Sequence, residues 1–233
     1  MFPSLGDVPP VGRVRFGSLR RTSPISADWG FERGLPVDRY YIESFLKAHR
    51  ADIYGRVLEI MDDEYTQRFG AERVARSDVL HPVAGNPKAT LVADLAQATD
   101  LPASLFDCIV FTQTLNLTYH LSATVKNLHH LLKPGGVLLA TVPGIAQISR
   151  EDMEHWGDYW RFTSASARKL FEAVFLPGPV QVVAYGNVLA AAALLYGLAS
   201  EELRPAELDQ RDPDYEVLIA VRAVKPDVLG AAA

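Results

Sequence analysis

The chain has 233 residues, 48% of them hydrophobic and 22% charged, with a net charge of −5 and a single cysteine. That length suits one α/β domain with a terminal arm, and it buries a sizeable core without staples. The acidic balance argues against a nucleic-acid surface, which needs concentrated Lys and Arg, and a lone Cys108, set in the apolar run FDCIVF, leaves no intrachain disulfide to form.

The longest apolar stretch, VLAAAALLYGLA at 188–199, is too short to span a bilayer and fits a buried helix. The opening MFPSLGDVPP has no basic region leading into an apolar one, so it does not read as a secretory signal. The expectation is a cytoplasmic protein with no membrane partner. Residues 1–35 are rich in Gly, Pro, Ser and Arg and show no period, which predicts an irregular arm; residues 36–226 form one domain, and 227–233 a flexible tail.

PVDRYYIESFLKAHR predicts a helix: Pro36 suits a first turn, and Tyr41 with Phe45 and Ile42 with Leu46 recur at i, i+4 on one apolar face. Strands then alternate with helices. Val57–Ile60 is a strand, followed by a short helix near Tyr65–Phe69. RVARSDV (73–79) is a second strand ending in Asp78, and ATLVAD (89–94) a third ending in Asp94. FDCIVFT (106–112) is nearly continuous in apolar residues, as in a strand buried on both faces of a parallel sheet. SATVKNLHHLLK (122–133) is an amphipathic helix stopped by Pro134-Gly135-Gly136, and VLLATV (137–142) is the fifth strand. SASARKLFEAVF then gives a helix, VQVVAY (180–185) a strand, residues 188–200 a helix, and YEVLIAVRAV (215–224) the last strand.

This alternation implies a doubly wound, mostly parallel sheet with helices on both faces. Ligands bind outside the carboxyl ends of such strands. Three of those ends are acidic: Asp62 and Asp63, Asp78, and Asp94. For any one of them the plain reading is a turn or a helix cap; three on one edge favour a nucleoside ligand.

The stretch DLPASLFDCIVFTQTLNLTYHLSATVKNLHHLLKPGGVLLATVP resembles the class I S-adenosylmethionine-dependent methyltransferases, in particular the type 11 group. The ordered succession of Leu-Pro, Phe-Asp, apolar strand, helix ending in Leu-Lys-Pro-Gly-Gly and apolar strand carries the resemblance, which runs from residue 56 to 175. DYWRFT (158–163) is similar to a segment of methyltransferases encoded with polysaccharide and glycosylation genes. The resemblance implies a Rossmann-like, seven-stranded sheet whose last strand is antiparallel, with S-adenosylmethionine as cofactor. By position it puts Glu59 and Asp62 near the methionine end, Asp63 as a further acidic neighbour of the sulfonium, Asp78 on the ribose, Asp94 and Leu95 about the adenine, and Thr112 and Gln113 beneath the methyl group. The chain departs from the pattern in RVLEIMDDEYTQRFG (56–70), where Met61, Asp63 and Tyr65 occupy the region of the family's glycines. It departs again after the fourth strand, where QTLNLTYH lacks the family's Glu-His pair.

Methyl transfer asks the protein for alignment, and for a general base where the nucleophile is a hydroxyl. DMEHWGDYWRFT (152–163) interleaves His155, Asp158 and Arg161 with Trp156, Tyr159 and Trp160. His155 is the candidate base and Asp158 its orienting partner. Trp156, Tyr159, Trp160 and Arg161, with Tyr40 and Tyr41 under the arm, are the candidate acceptor contacts. The competing reading is an aromatic cap on the core with Asp158–Arg161 as a structural ion pair. His129-His130 point to different faces of one helix, and no cluster has metal-ligand spacing, so no metal is expected. The function expected is methylation of a small molecule, a hydroxyl of a sugar, glycoside or secondary metabolite, with a homodimer as the candidate assembly. The alternatives are cyclase or lyase chemistry in a remodelled pocket, or a non-catalytic partner.

Overall fold

The apolar runs assemble into one seven-stranded sheet. The structure, a computed structural model, describes residues 8–227; the expected arm's residues 1–7 and the expected tail beyond Asp227 lie outside the described residues. The strands are β1 (Gly55–Ile60), β2 (Val74–His81), β3 (Leu91–Val92), β4 (Phe106–Thr112), β5 (Leu132–Pro143), β6 (Val180–Tyr185) and β7 (Leu218–Val224), in the order β3-β2-β1-β4-β5-β7-β6. β1 to β5 are parallel, and β7 runs antiparallel between β5 and β6. This is a Rossmann-like sheet whose strand order reverses between β1 and β4, the place where such sheets open a ligand crevice.

Helices cover both faces. α1 (Val37–Ala48), α5 (Val188–Tyr196) and the short α6 (Pro205–Asp209) pack on one side, where Tyr41, Phe45 and Leu194 meet Val57 and Val110. α2 (Leu121–Leu131) and α4 (Ser164–Phe175) pack on the other, where Leu128, Phe171 and Phe175 meet Leu58, Ile109 and Leu138. β4 lies between both layers, and Cys108, Ile109 and Val110 are wholly buried, which accounts for its unbroken apolar sequence. α3 (Arg150–His155) stands over the sheet edge. Among the described residues no helix is long and apolar enough to cross a membrane.

Three boundaries differ from expectation. β2 runs on past Asp78 to His81, because Val79 and Leu80 are buried and pair with Glu59 and Ile60 of β1. Asp78 is thus opposite Leu58, inside the sheet rather than at its ligand edge. β3 is only two residues long, so Asp94 lies in the loop after it. β5 begins at Leu132, which already pairs with Phe106, and the Lys-Pro-Gly-Gly segment is an irregularity within the strand.

Candidate functional site

The first residues beyond β1 and β4, Met61 and Gln113, both hold left-handed backbone, with φ of 73° and 48°. Such a conformation costs a non-glycine residue on the order of 1–2 kcal/mol and is concentrated at functional sites. Each is pinned: Met61 N–H donates to Leu80 O at 3.0 Å and its carbonyl accepts from Asn86 Nδ2 at 2.7 Å, while Gln113 N–H donates to Thr141 O at 2.9 Å. The chain therefore makes its sharp exit from the sheet without the glycines that usually allow it.

Glu59 braces the turn from below. It is 3% exposed, and its two carboxyl oxygens accept the N–H groups of Tyr65 and Thr66 at 3.2 and 2.7 Å. Burial pushes its carboxyl up to about 7, against the opposing pull of those N–H donors. Asp62 accepts the N–H of Glu64, two residues on, at 3.0 Å, and Asp63 accepts from Gln67 Nε2 at 3.0 Å and Ser77 Oγ at 3.1 Å. These acids make the turn; neither lines a cavity.

Two adjoining cavities open over the carboxyl edge. The larger, about 490 Å³, has Leu80, Leu95 and Phe111 as floor and Asp94, Trp156 and Tyr159 at its rim. The Asp94 carboxylate accepts from Ala96 N at 2.8 Å and Gln97 Nε2 at 2.9 Å. The smaller, about 150 Å³, is bounded by Trp29 and Phe31 of the arm and by Asn116, Gln147 and Arg161. Three residues border both: Arg39 of α1, Gln113, and Asp152 of α3.

Several expected roles need correction. Asp78 does not reach the ligand edge. It is 2% exposed and accepts from Arg56 Nε at 2.7 Å, Thr90 Oγ1 at 2.8 Å and Arg76 at 3.1 Å; burial would raise its carboxyl, but these donors outweigh that and hold it below the usual range. The ring of His155 is exposed, its Nδ1 sits 2.8 Å from Glu151 O, and it lines neither cavity, because α3 turns Asp152 and Trp156, one turn apart, toward the opening instead. Asp158 does not orient His155. It is buried and forms a two-oxygen pair with Arg161 at 2.6 and 2.7 Å, accepting also from Asn116 Nδ2 and Ser149 N–H, so that its carboxyl is held down despite burial. Arg161 further donates to the Ala146 and Gln147 carbonyls, which makes the pair a staple for loop 146–161 that also walls the smaller cavity.

The phase of α1 decides the tyrosines. Tyr41 falls on the buried stripe, donates to Leu208 O at 3.0 Å and stacks on Tyr185, while Tyr40 donates to Asp209 at 2.7 Å; neither lines a cavity, and Arg39 does. Trp160 Nε1 donates to Thr118 O at 3.0 Å and its ring packs by Tyr119, outside both cavities. Thr112 ends β4 with its carbonyl capping Thr114 and lines neither. Of the residues expected at the site, Asp94, Leu95, Gln113, Trp156, Tyr159, Asp158 and Arg161 border a cavity. Arg39, Asp152, Trp29 and Phe31 were not foreseen.

A family model described as "Methyltransferase domain" matches residues 43–176, more than half of the chain. Among solved structures, an S-adenosylmethionine-dependent methyltransferase from Mesorhizobium loti matches with a TM-score of 0.52 and 14% identity, covering 81% of this chain and 98% of that one. A methyltransferase from Archaeoglobus fulgidus, described as dependent on the same cofactor, matches with a TM-score of 0.52 and 10% identity, covering 80% and 94%. The [4+2]-cyclase SpnF matches with a TM-score of 0.53 and 13% identity, covering 84% and 85%. At these identities the likeness is one of fold. No curated protein matches the sequence.

Proposed function

From the premise that this chain belongs to the methyltransferase domain family, we propose that it transfers a methyl group from S-adenosylmethionine to a small-molecule acceptor held in the smaller cavity. The observation that carries this reading is the pair of adjoining cavities at the strand-order switch, one of a size for a nucleoside cofactor and one for the reacting part of an acceptor, with Arg39, Gln113 and Asp152 on their common border.

The residues present fit the cofactor. Leu80, Leu95 and Phe111 offer a planar base an apolar slot, with the Asp94 carboxylate at its edge for an amino group. No acid directly follows β2 to hold the ribose hydroxyls, since the strand ends at His81 and Pro82 comes next, so that contact is missing. S-adenosylmethionine, when bound, supplies an already activated methyl group. The protein's share is then placement and electrostatics. Gln113, fixed by its backbone bond to Thr141, lies on the border of the two cavities, where it would help orient the donor's methyl group toward an acceptor. Asp158 and Arg161 keep the acceptor wall rigid, and Trp29 and Phe31 roof it against water. Polar Asn116 and Gln147 beside two aromatic rings suit a hydroxylated acceptor such as a sugar, glycoside or secondary metabolite.

Calorimetric titration with S-adenosylhomocysteine tests the reading. The expected affinity is micromolar, roughly −8 kcal/mol; no heat at millimolar ligand sinks it. The glycine-poor turn, with the Met61 side chain on the cavity wall, also favours a second reading, in which the cofactor cleft is kept but the chemistry is a cyclisation or elimination. Radiolabelled methyl appearing in product from a pool of glycosylated acceptors would exclude it.

A further inference from the structure

The methyltransferase reading leaves one end of the donor without an assigned partner, because the turn after β1 offers neither glycines nor carboxylates to the larger cavity. Asp62 and Asp63 are spent on the turn itself. Among the described residues, Arg39 is the single Lys or Arg on that cavity's wall. Among the described residues it forms no salt bridge: Asp38 Oδ1 accepts the Arg39 backbone N–H at 2.8 Å, and the guanidinium has only neutral neighbours in contact, the Tyr65 hydroxyl and the Phe31 ring at 5.9 Å. Asp152 is the other charged group on the same border. Its backbone N–H is capped by Ser149, while its carboxylate has no hydrogen-bond partner or ion pair among the described residues.

Position along the sheet separates two ends. Asp94 follows β3, Met61 follows β1 and Gln113 follows β4, in the spatial order β3-β2-β1-β4. With neighbouring strands ~4.8 Å apart, the Asp94 end lies roughly 14 Å from the Gln113 end. A nucleoside extended by an amino-acid chain has that reach. The Asp94 carboxylate accepts from Ala96 and Gln97 at one end, and the opposite charges of Arg39 and Asp152 share with Gln113, at the other end, the border of the two cavities. A zwitterion needs one of each sign, and neither the Arg39 guanidinium nor the Asp152 carboxylate has to give up a salt bridge among the described residues to meet it.

We propose that Arg39 and Asp152 form a clamp for the amino-acid group of the donor, Arg39 on its α-carboxylate and Asp152 on its α-ammonium, in place of the contacts that the glycine-poor turn cannot make. The clamp is built from α1 and α3, elements that cover the sheet, and not from the sheet's own first loop. It rests on the reading of the larger cavity as the cofactor cleft.

The test compares S-adenosylhomocysteine, which carries the amino-acid group, with 5′-methylthioadenosine, which lacks it. Calorimetry is run on the parent, Arg39→Gln and Asp152→Asn, with thermal unfolding as the control for folding. Each substitution removes a charge-assisted bond, so S-adenosylhomocysteine binding should weaken roughly 10- to 100-fold while 5′-methylthioadenosine binding changes less than about 2-fold. Variants that bind S-adenosylhomocysteine like the parent overturn the clamp. Variants that lose both ligands equally overturn it as well, by showing a general effect on the cleft. A parent that binds neither ligand overturns the methyltransferase reading itself, a distinguishable failure. If Arg39→Gln does not fold, Asp152→Asn alone decides, since the ammonium contact is half of the claim.

Discussion

Glu59→Gln isolates the carboxyl that braces the β1 turn. In the fold this carboxyl keeps its proton up to about pH 7, because burial penalises the anion; in the unfolded chain it releases it near 4.5. Between those values the folded state binds more protons than the unfolded one, so stability falls as pH rises through the window; below 4.5 the penalty is absent, and above 7 it is complete. The penalty is about 3 kcal/mol at most, at 1.36 kcal/mol for each pH unit of separation. Gln cannot ionise, and it loses one of the two acceptor contacts to Tyr65 and Thr66, a cost of about 1–3 kcal/mol at every pH. Urea unfolding of parent and variant from pH 4 to 8 should therefore give curves that differ most in acid and converge, or cross, toward pH 8. Subtracting the variant cancels the remaining titrating groups, including Asp78 and Asp158, whose lowered carboxyls act in the opposite sense below pH 4. Curves that stay parallel across the window would refute the reasoning, for they would mean that the two N–H donors hold Glu59 ionised throughout.

Two more outcomes follow from the corrected site. Asp78→Asn should cost about 1.5–3 kcal/mol in urea unfolding, since it removes the charge that buried Asp78 sets against the half-buried Arg56, and should leave S-adenosylhomocysteine affinity within 2-fold; a selective loss of affinity would restore Asp78 to the ribose. Asp158→Ala should cost about 3–5 kcal/mol by stranding Arg161 against the Ala146 and Gln147 carbonyls, and increased protease cleavage within 146–161 should accompany it; a variant as stable as the parent would deny the staple.

Strand existence was legible because burial on both faces leaves unbroken apolar runs such as FDCIVF, and the order of elements alone implied the doubly wound sheet. Strand ends were less so. Asp78 read as a terminus since a charge inside a strand is uncommon, yet Arg56 and Arg76 neutralise it and the Thr90 hydroxyl donates to it, and those partners are distant in sequence or hidden by the pleat. The i, i+4 pairing of Tyr41 with Phe45 already placed Tyr41 on the apolar stripe of α1, and so against the core; the neighbouring Asp38-Arg39 pair, off that stripe, was the available signal for the cavity wall. His155 drew notice for its aromatic company, but a single helical turn decides which of Asp152, His155 and Trp156 faces inward, and the start of α3 rests on the Ser149 cap. Nothing in the spacing of residues 150–155 announces that start more strongly than the surrounding acids obscure it.

If the amino-acid end of the donor is held by α1 and α3, cofactor binding and closure of the cover become one event. The arm reaches this place by its own contacts: Ser26 Oγ accepts from Gly30 N–H, Arg33 pairs with Glu202, and Phe31 lies against Arg39 at 5.9 Å. α3 reaches it through the Asp158–Arg161 staple. A ligand bridging Arg39 and Asp152 ties these two covers together, whereas a ligand held by a family-type glycine turn would order only the loop after β1. Hydrogen exchange on adding S-adenosylhomocysteine should therefore slow in residues 25–40 and 147–157, by a factor that disappears in Arg39→Gln, while residues 61–66, already fixed by Glu59, Leu80 and Asn86, change little. Protection appearing at 61–66 alone would return the amino-acid group to the turn and leave Arg39 free for the acceptor.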